Sequence, residues 1–136
     1  LEMGYRTSII KTSGYLVLEA VISLKKGDEE KIRAVMKDLS ERRTEKQPLD
    51  YPSAGSTFKR PEGYFAGKLI MDSGLRGYRA GGAQVSEKHC GFVINAGGAT
   101  AEDVRTLMEH VIEVVREKYG VTLEPEVKFL GDFNGR

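Results

Sequence analysis

Cysteine and histidine are scarce in this sequence, and neither a long apolar run nor a large excess of one charge is present. The 136 residues contain one cysteine, Cys90, and two histidines. One cysteine excludes an internal disulfide framework and is typical of a reducing compartment. Few cysteine and histidine side chains are therefore available as metal ligands, and we expect no metal site. No run approaches the ~20 apolar residues of a membrane helix, and no signal-peptide pattern opens the chain, so we expect no membrane contact. A net charge of +1 gives no reason to expect nucleic-acid binding.

Charge and glycine are unevenly distributed along the chain. Residues 42–95 hold nine basic and five acidic side chains, whereas residues 96–136 hold five basic and eight acidic ones. Ten of the sixteen glycines lie between Gly55 and Gly98. Glycine permits close approach of backbone to a ligand, and local positive charge favours an anionic one. The same pattern is also typical of loops with solvated charges, and the composition leaves both interpretations open.

Hydrophobic patterning predicts two strands and one helix in the first third of the chain. Residues 15–24 are apolar and β-branched, which predicts a buried strand, paired with a shorter strand at residues 6–11. Asp28 is a candidate N-cap for a helix that runs to about Arg43, since Pro48 forbids its continuation. One apolar stripe marks this helix: Ile32, Val35, Met36 and Leu39.

The remaining two thirds alternate between strands and helices without a regular βαβ rhythm. One helix is predicted beyond Pro61, with Gly74 as its stop, and the strongest helix lies between the N-cap Thr100 and Gly120. Residues 77–88 are glycine-rich and irregular. Strands are predicted at residues 56–59, 90–95 and 127–130. These patterns indicate an α+β domain, a small mixed sheet packed with about three helices.

Few residues suggest chemistry by type alone. The segment 63–69 has three residues between its glycines and a leucine where a phosphate-binding loop needs Ser or Thr, so we reject that motif. Cys90 lies in an apolar strand and is interpreted as a core residue. Ser56 follows a glycine and precedes a Lys-Arg pair, where its hydroxyl could either bond the turn backbone or donate a proton. By residue type, Glu126 and Arg6 are ordinary surface charges.

Taken together, however, the sequence motifs are specific enough to indicate a protein family. The chain resembles the C-terminal, substrate-binding part of the UDP-N-acetylenolpyruvoylglucosamine reductase family, over nearly its whole length and in the right order. The segments that carry the resemblance are GYRTS (4–8), KQPLDYPSAGSTFKRP (46–61), GYFAGKLI (63–70), GLRGYRAGGAQVSEKHCGFVIN (74–95), ATAEDV (99–104) and LEPEVKFLG (123–131).

The resemblance implies a domain organisation and a function. Residues 1–24 are expected to be the terminal strands of an FAD-binding domain that is otherwise missing, and residues 25–136 the substrate-binding domain. The start at Leu1 suggests a beginning inside a larger protein. The family is implied to be an NADPH-dependent flavoenzyme of the bacterial cytoplasm that makes UDP-N-acetylmuramate for peptidoglycan, and hence for the cell wall, cell shape and division. We expect FAD and NADPH as cofactors, a UDP-sugar as substrate and a monomer. The subtype is the one without a tyrosine-bearing insertion.

The resemblance also assigns residues to roles. Ser56 matches the proton donor, and Arg6 and Glu126 match the two other catalytic residues. Lys46 matches a basic residue that holds the UDP-sugar. Arg60 and His89 stand where another family member has an asparagine and a substrate-binding glutamine, and all three are candidates for substrate binding.

Two functional hypotheses stay open at this stage. The first is a part of this reductase. The second is a free-standing module that binds a nucleotide-sugar without redox chemistry, which the missing flavin domain favours. The joint presence of Ser56, Arg6 and Glu126 favours the reductase, because a binding module has no need of a proton donor. A structural or interaction protein explains neither the basic, glycine-rich middle of the chain nor the set of motifs.

Overall fold

The computed structural model describes residues 1–4 and 6–131. The chain forms two compact units, Leu1–Val35 and Met36–Arg136. The division between them falls within a long helix rather than in a loop. The domain boundary predicted between residues 24 and 25 stays a prediction.

The first unit has little regular structure. Its one complete helix is α1 (Ile9–Ser13), and no strand occurs in the described part of residues 1–28. The predicted strands at residues 6–11 and 15–24 are therefore wrong for this structure. A strand requires a hydrogen-bonded neighbour, and no described segment pairs with residues 15–24. Their apolar side chains are accordingly exposed, Leu18 at 95%.

Helix α2 (Glu29–Lys46) begins where the sequence predicts and ends three residues later than Arg43. The carboxylate of Asp28 accepts a hydrogen bond from the backbone N–H of Lys31 at 3.1 Å, which confirms the N-cap. No residue of this helix is buried. The predicted apolar stripe is formed but uncovered in the described structure, and it consists of Ile32, Val35, Met36 and Leu39.

The second unit contains one four-stranded sheet. Its strands are β1 (Ser53–Ser56), β2 (Arg79–Ala80), β3 (Ala83–Val85) and β4 (Phe92–Asn95), in the spatial order β1-β4-β3-β2. All three pairings are antiparallel, so the expected mixed sheet is corrected to an antiparallel one. Short connections join β2 to β3 and β3 to β4, and strands joined in this way pair antiparallel without a long crossover. The third pair, β1 and β4, is separated by residues 57–91.

Two helices complete the second unit and confirm the α+β class. Helix α3 (Ala66–Asp72) packs on α4 (Ala101–Tyr119), which also contacts β2 and β3. Thr100 and Asp103 form a reciprocal capping box at the start of α4, and Gly120 ends it in the left-handed conformation. No helix in the described residues is long and apolar enough to span a bilayer. The fully buried core side chains include Ile70, Val85, Leu107, Met108, Val111, Val115 and Leu123.

Two predicted strands near the sheet edge differ from the structure. The strand expected at residues 56–59 lies three residues earlier, as β1. The closing strand expected at residues 127–130 is absent. Instead, Phe58 and Pro125 form an isolated bridge, and after it Phe129 and Leu130 are exposed. The chain leaves β4 after Thr57, and its backbone then pairs briefly with residues 124–126 instead of extending β1.

Candidate functional site

Three segments meet at the β1 edge of the sheet. The backbone N–H of Thr57 donates to the carbonyl of Gly91 at 2.8 Å, which continues the pairing of β1 with β4. The carbonyl of Thr57 accepts from the N–H of Glu126 at 2.9 Å, and the N–H of Lys59 donates to the carbonyl of Glu124 at 2.8 Å. The backbones of Ser56 and Glu126 are thus linked through one residue, Thr57.

A β-bulge controls how Ser56 is presented. Ser53 pairs with Ile94 and Ser56 pairs with Phe92, so three residue steps on β1 oppose two on β4. Gly55 takes φ +87, a value that favours glycine. Its N–H donates to the hydroxyl of Ser53 at 3.2 Å. Bulges redirect side chains and end regular pairing, and here Ser56 is exposed while Thr57 beside it is 2% exposed.

Charged side chains surround the segment that follows Ser56. Lys59 forms an ion pair with Glu124 across the two paired segments. The guanidinium of Arg60 lies 4.1 Å above the centre of the Phe65 ring. Both basic residues line an open cavity of about 330 Å³. Two glutamates line the same cavity, so its basic and acidic side chains are balanced in number.

Three other predicted site residues lie in different parts of the chain. The His89 side chain is linked to Thr57 through Gly91, because its Nδ1 accepts from the N–H of Gly91 at 3.0 Å and the carbonyl of Gly91 accepts from the N–H of Thr57. Lys46 is exposed in the last turn of α2. Arg6 lies in the first unit, in a turn with φ +55. Its predicted convergence with Ser56 stays a prediction.

The glycine-rich loops before α4 serve the fold instead of a ligand. A Cβ on Gly82 would lie 2.4 Å from the backbone nitrogen of Ala99, and one on Gly81 would lie 2.3 Å from a carboxylate oxygen of Asp103. That carboxylate accepts from the N–H of Thr100 at 2.9 Å and of Gly82 at 3.4 Å. These hydrogen bonds lower the pKa of Asp103, the backbone N–H of Thr100 most strongly. The carboxylate of Asp103 thus caps the start of α4 and joins it to the loop at Gly82.

The remaining candidates have structural roles. Cys90 is buried, and desolvation raises the pKa of its thiol, as expected for a core cysteine. Within residues 1–4 and 6–131, no group of three or more His, Cys, Asp or Glu side chains is placed to hold a metal ion. Thr57 was missed by sequence reasoning. The sequence shows only a β-branched residue with a hydroxyl directly after the glycine-serine pair. The hydrogen-bond partners of Thr57 are distant in sequence, so local patterns do not reveal them.

Comparison with known proteins places this α+β unit in a family. The family model for the C-terminal domain of UDP-N-acetylenolpyruvoylglucosamine reductase matches residues 47–130. The chain therefore belongs to this family, and the resemblance seen in its motifs is confirmed. The matched range includes Ser56, Arg60, His89 and Glu126, whereas Arg6 and Lys46 lie outside it.

Individual relatives support the same assignment. The chain is 64% identical to the UDP-N-acetylenolpyruvoylglucosamine reductase of Lachnoclostridium phytofermentans, over 97% of this chain and 43% of the relative. It is 60% identical to that of Agathobacter rectalis, over 98% of this chain and 42% of the relative. The crystal structure of the Thermus caldophilus reductase superposes with a TM-score of 0.63 at 38% identity, over 76% of this chain and 37% of that one. The chain thus spans less than half the length of these relatives.

Proposed function

We propose that this chain is the substrate-binding part of a monomeric, cytoplasmic bacterial reductase that converts UDP-N-acetylglucosamine enolpyruvate to UDP-N-acetylmuramate for peptidoglycan synthesis. Family membership supports the reaction, since the relatives above carry the reductase name. The observation that carries the proposal is the hydrogen bond between the carbonyl of Thr57 and the N–H of Glu126, 2.9 Å long. It links Glu126 to the residue that follows Ser56, and so supports a common role for two proposed catalytic residues that are far apart in sequence.

Ser56 is the proposed proton donor. Reduction of the enolpyruvyl double bond adds a hydride to the carbon remote from the carboxylate, and the negative charge then develops as an enolate on the carboxylate-bearing carbon. The O–H bond of Ser56 breaks, its proton forms the new C–H bond at that carbon, and the serine oxygen recovers a proton from solvent. A serine hydroxyl is a weak acid, but an enolate carbon is basic enough to accept its proton when the two are well placed. The exposed position of Ser56 on the bulge leaves its hydroxyl accessible for this step.

The other proposed residues bind and stabilise charge. Arg6 provides a fixed cation for the developing enolate, and Glu126 a hydrogen-bonding group at the substrate carboxylate. Lys46, Arg60 and His89 are proposed to hold the UDP-sugar. Arg60 lines an open cavity, and its planar guanidinium is a donor suited to the substrate's phosphates.

The hydride requires a cofactor. FAD, reduced by NADPH, supplies it in the family that the sequence resembles. We propose that FAD and NADPH bind to the part of the relatives' length that this chain does not cover.

A second candidate function is a nucleotide-sugar binding module without redox activity. The open cavity beside Arg60 is compatible with it, since holding a nucleotide-sugar requires no redox cofactor. The exposed serine on the bulge favours the reductase, because binding alone does not require a proton donor.

A chimera distinguishes the two functions. The matching segment of the Lachnoclostridium phytofermentans relative, 64% identical, is replaced by this chain, and the product is called the chimera below. We expect NADPH-dependent formation of UDP-N-acetylmuramate, detected by mass spectrometry, with the unaltered relative as control. A chimera that folds, binds flavin and binds the UDP-sugar but forms no product would overturn the reductase proposal in favour of the binding module.

A further inference from the structure

The bulge in β1 removes the usual partner of one buried backbone group. On the edge of β4 that faces β1, the N–H of Asn95 donates to the carbonyl of Pro52 at 2.9 Å. In an unbroken antiparallel ladder the N–H of Val93, two residues away on the same edge, would donate to the carbonyl of Ala54. The extra residue in β1 displaces that carbonyl. Val93 is 7% exposed, so water cannot readily replace it.

The hydroxyl of Thr57 takes the place of the missing carbonyl. Its Oγ1 accepts from the N–H of Val93 at 2.8 Å in the buried interior. Thr57 therefore bonds three residues in two segments: its N–H donates to Gly91, its hydroxyl accepts from Val93, and its carbonyl accepts from Glu126. The first two bonds anchor the residue after Ser56 to β4, and the third attaches Glu126 to the same residue.

We propose that Thr57 is the positioning residue that sets the geometry of Ser56 relative to Glu126. The proposal rests on the proposed function, because it assigns Ser56 and Glu126 to catalysis. Threonine suits the position for two reasons. Its β-branched side chain is restricted at χ1, which holds the oxygen towards Val93, and its hydroxyl satisfies a donor that an apolar side chain would leave unpaired.

The hydrogen bond itself is tested on the chain without any catalytic assay. Thr57→Val keeps the shape and removes the acceptor, and Thr57→Ser keeps the oxygen. We expect Thr57→Val to accelerate amide hydrogen exchange at Val93 by about 10-fold or more, with a smaller increase at Glu126, and Thr57→Ser to stay within a few-fold of the wild type. The amide of Val85, which donates to Tyr78 at 2.9 Å, reports global opening. Unchanged exchange at Val93, or a change at Val93 that does not reach Glu126, would overturn the proposal.

The catalytic consequence is tested in the chimera. Thr57→Val should lower kcat for reduction of the enolpyruvyl sugar by ~10–100-fold, because small displacements of a catalytic group are costly. The KM for the sugar and the rate of flavin reduction by NADPH should change little, and Thr57→Ser should restore most of kcat. Val111→Ala, which truncates a fully buried side chain of α4, is the control for general destabilisation.

The kinetic results either support the positioning role of Thr57 or overturn it. Equal losses of kcat in Thr57→Val and Val111→Ala would reduce Thr57 to a structural residue. A wild-type chimera without turnover would remove the proposed function, and Thr57's positioning role with it, even where the exchange result at Val93 stands. If Thr57→Val does not fold, Thr57→Cys replaces it in both experiments, since sulfur is a weak acceptor.

Discussion

Replacing Ser56 with alanine in the chimera removes one oxygen atom from the surface of the protein. The side chain is exposed, and no hydrogen bond joins its hydroxyl to another of the described residues. The bonds that hold this part of the chain come from the backbone of its neighbour Thr57 and from Gly55. The bulge should therefore persist, and the free energy of unfolding should change by less than about 0.5 kcal/mol.

The expected effect on the reaction is much larger. General acid catalysis contributes typically ~10²–10⁴-fold in rate, which corresponds to about 3–5 kcal/mol of activation free energy. Stability and activity should thus separate by several kcal/mol in this variant. A cysteine at the same position should retain part of the activity, because a thiol can also donate a proton.

Rapid-mixing absorbance of the flavin measures the two half-reactions separately. Reduction by NADPH should proceed at nearly the wild-type rate in Ser56→Ala, and reoxidation by the enolpyruvyl sugar should be slowed. Ser40→Ala is the matched control, since it deletes the same oxygen from an exposed serine of α2, outside the bulge. Equal slowing of both half-reactions would refute the reasoning, and so would an equal loss in Ser40→Ala, because either result would show that the effect does not depend on the hydroxyl of Ser56.

Three further predictions concern the isolated chain. Gly82→Ala should cost about 2–4 kcal/mol in urea unfolding, because a Cβ there meets backbone atoms of Gly97 and Ala99 at 2.4 Å; Gly98→Ala, with φ +64 and open space around its Cβ, should cost about 1 kcal/mol, and equal costs would contradict the contact argument. The pKa of Asp103 is lowered in the folded state, so the ionised carboxylate should stabilise the fold above the ordinary pKa of 3.8, and this stabilisation should be lost as the pH falls below that value. The difference in unfolding free energy between wild type and Asp103→Asn should therefore shrink over that pH range. A constant difference would argue against a charge effect. The chain purified alone should bind no FAD tightly, and a yellow, stoichiometric complex by absorbance would show that the described residues do hold a flavin.

Local patterns were sufficient for the elements whose signals are local. The helix α4 was predicted with its N-cap Thr100 and its stop Gly120, because the capping box and the apolar stripe lie within the helix itself. The strand β4 was recognised as a buried apolar run. By contrast, the apolar run at residues 15–24 has the composition of a strand, but a strand exists only with a neighbour, and none of the described residues pairs with it.

The motifs carried the family assignment and, through it, the candidate residues Ser56 and Glu126. Tertiary structure decided how the two come together. The bulge at Gly55, the pairing of residues 57–59 with residues 124–126, and the bond from Val93 to Thr57 depend on contacts between segments tens of residues apart. Hydrogen-bond partners of this kind have no local signature, because the backbone of every residue carries the same donor and acceptor, and only the folded sheet determines which of them meet.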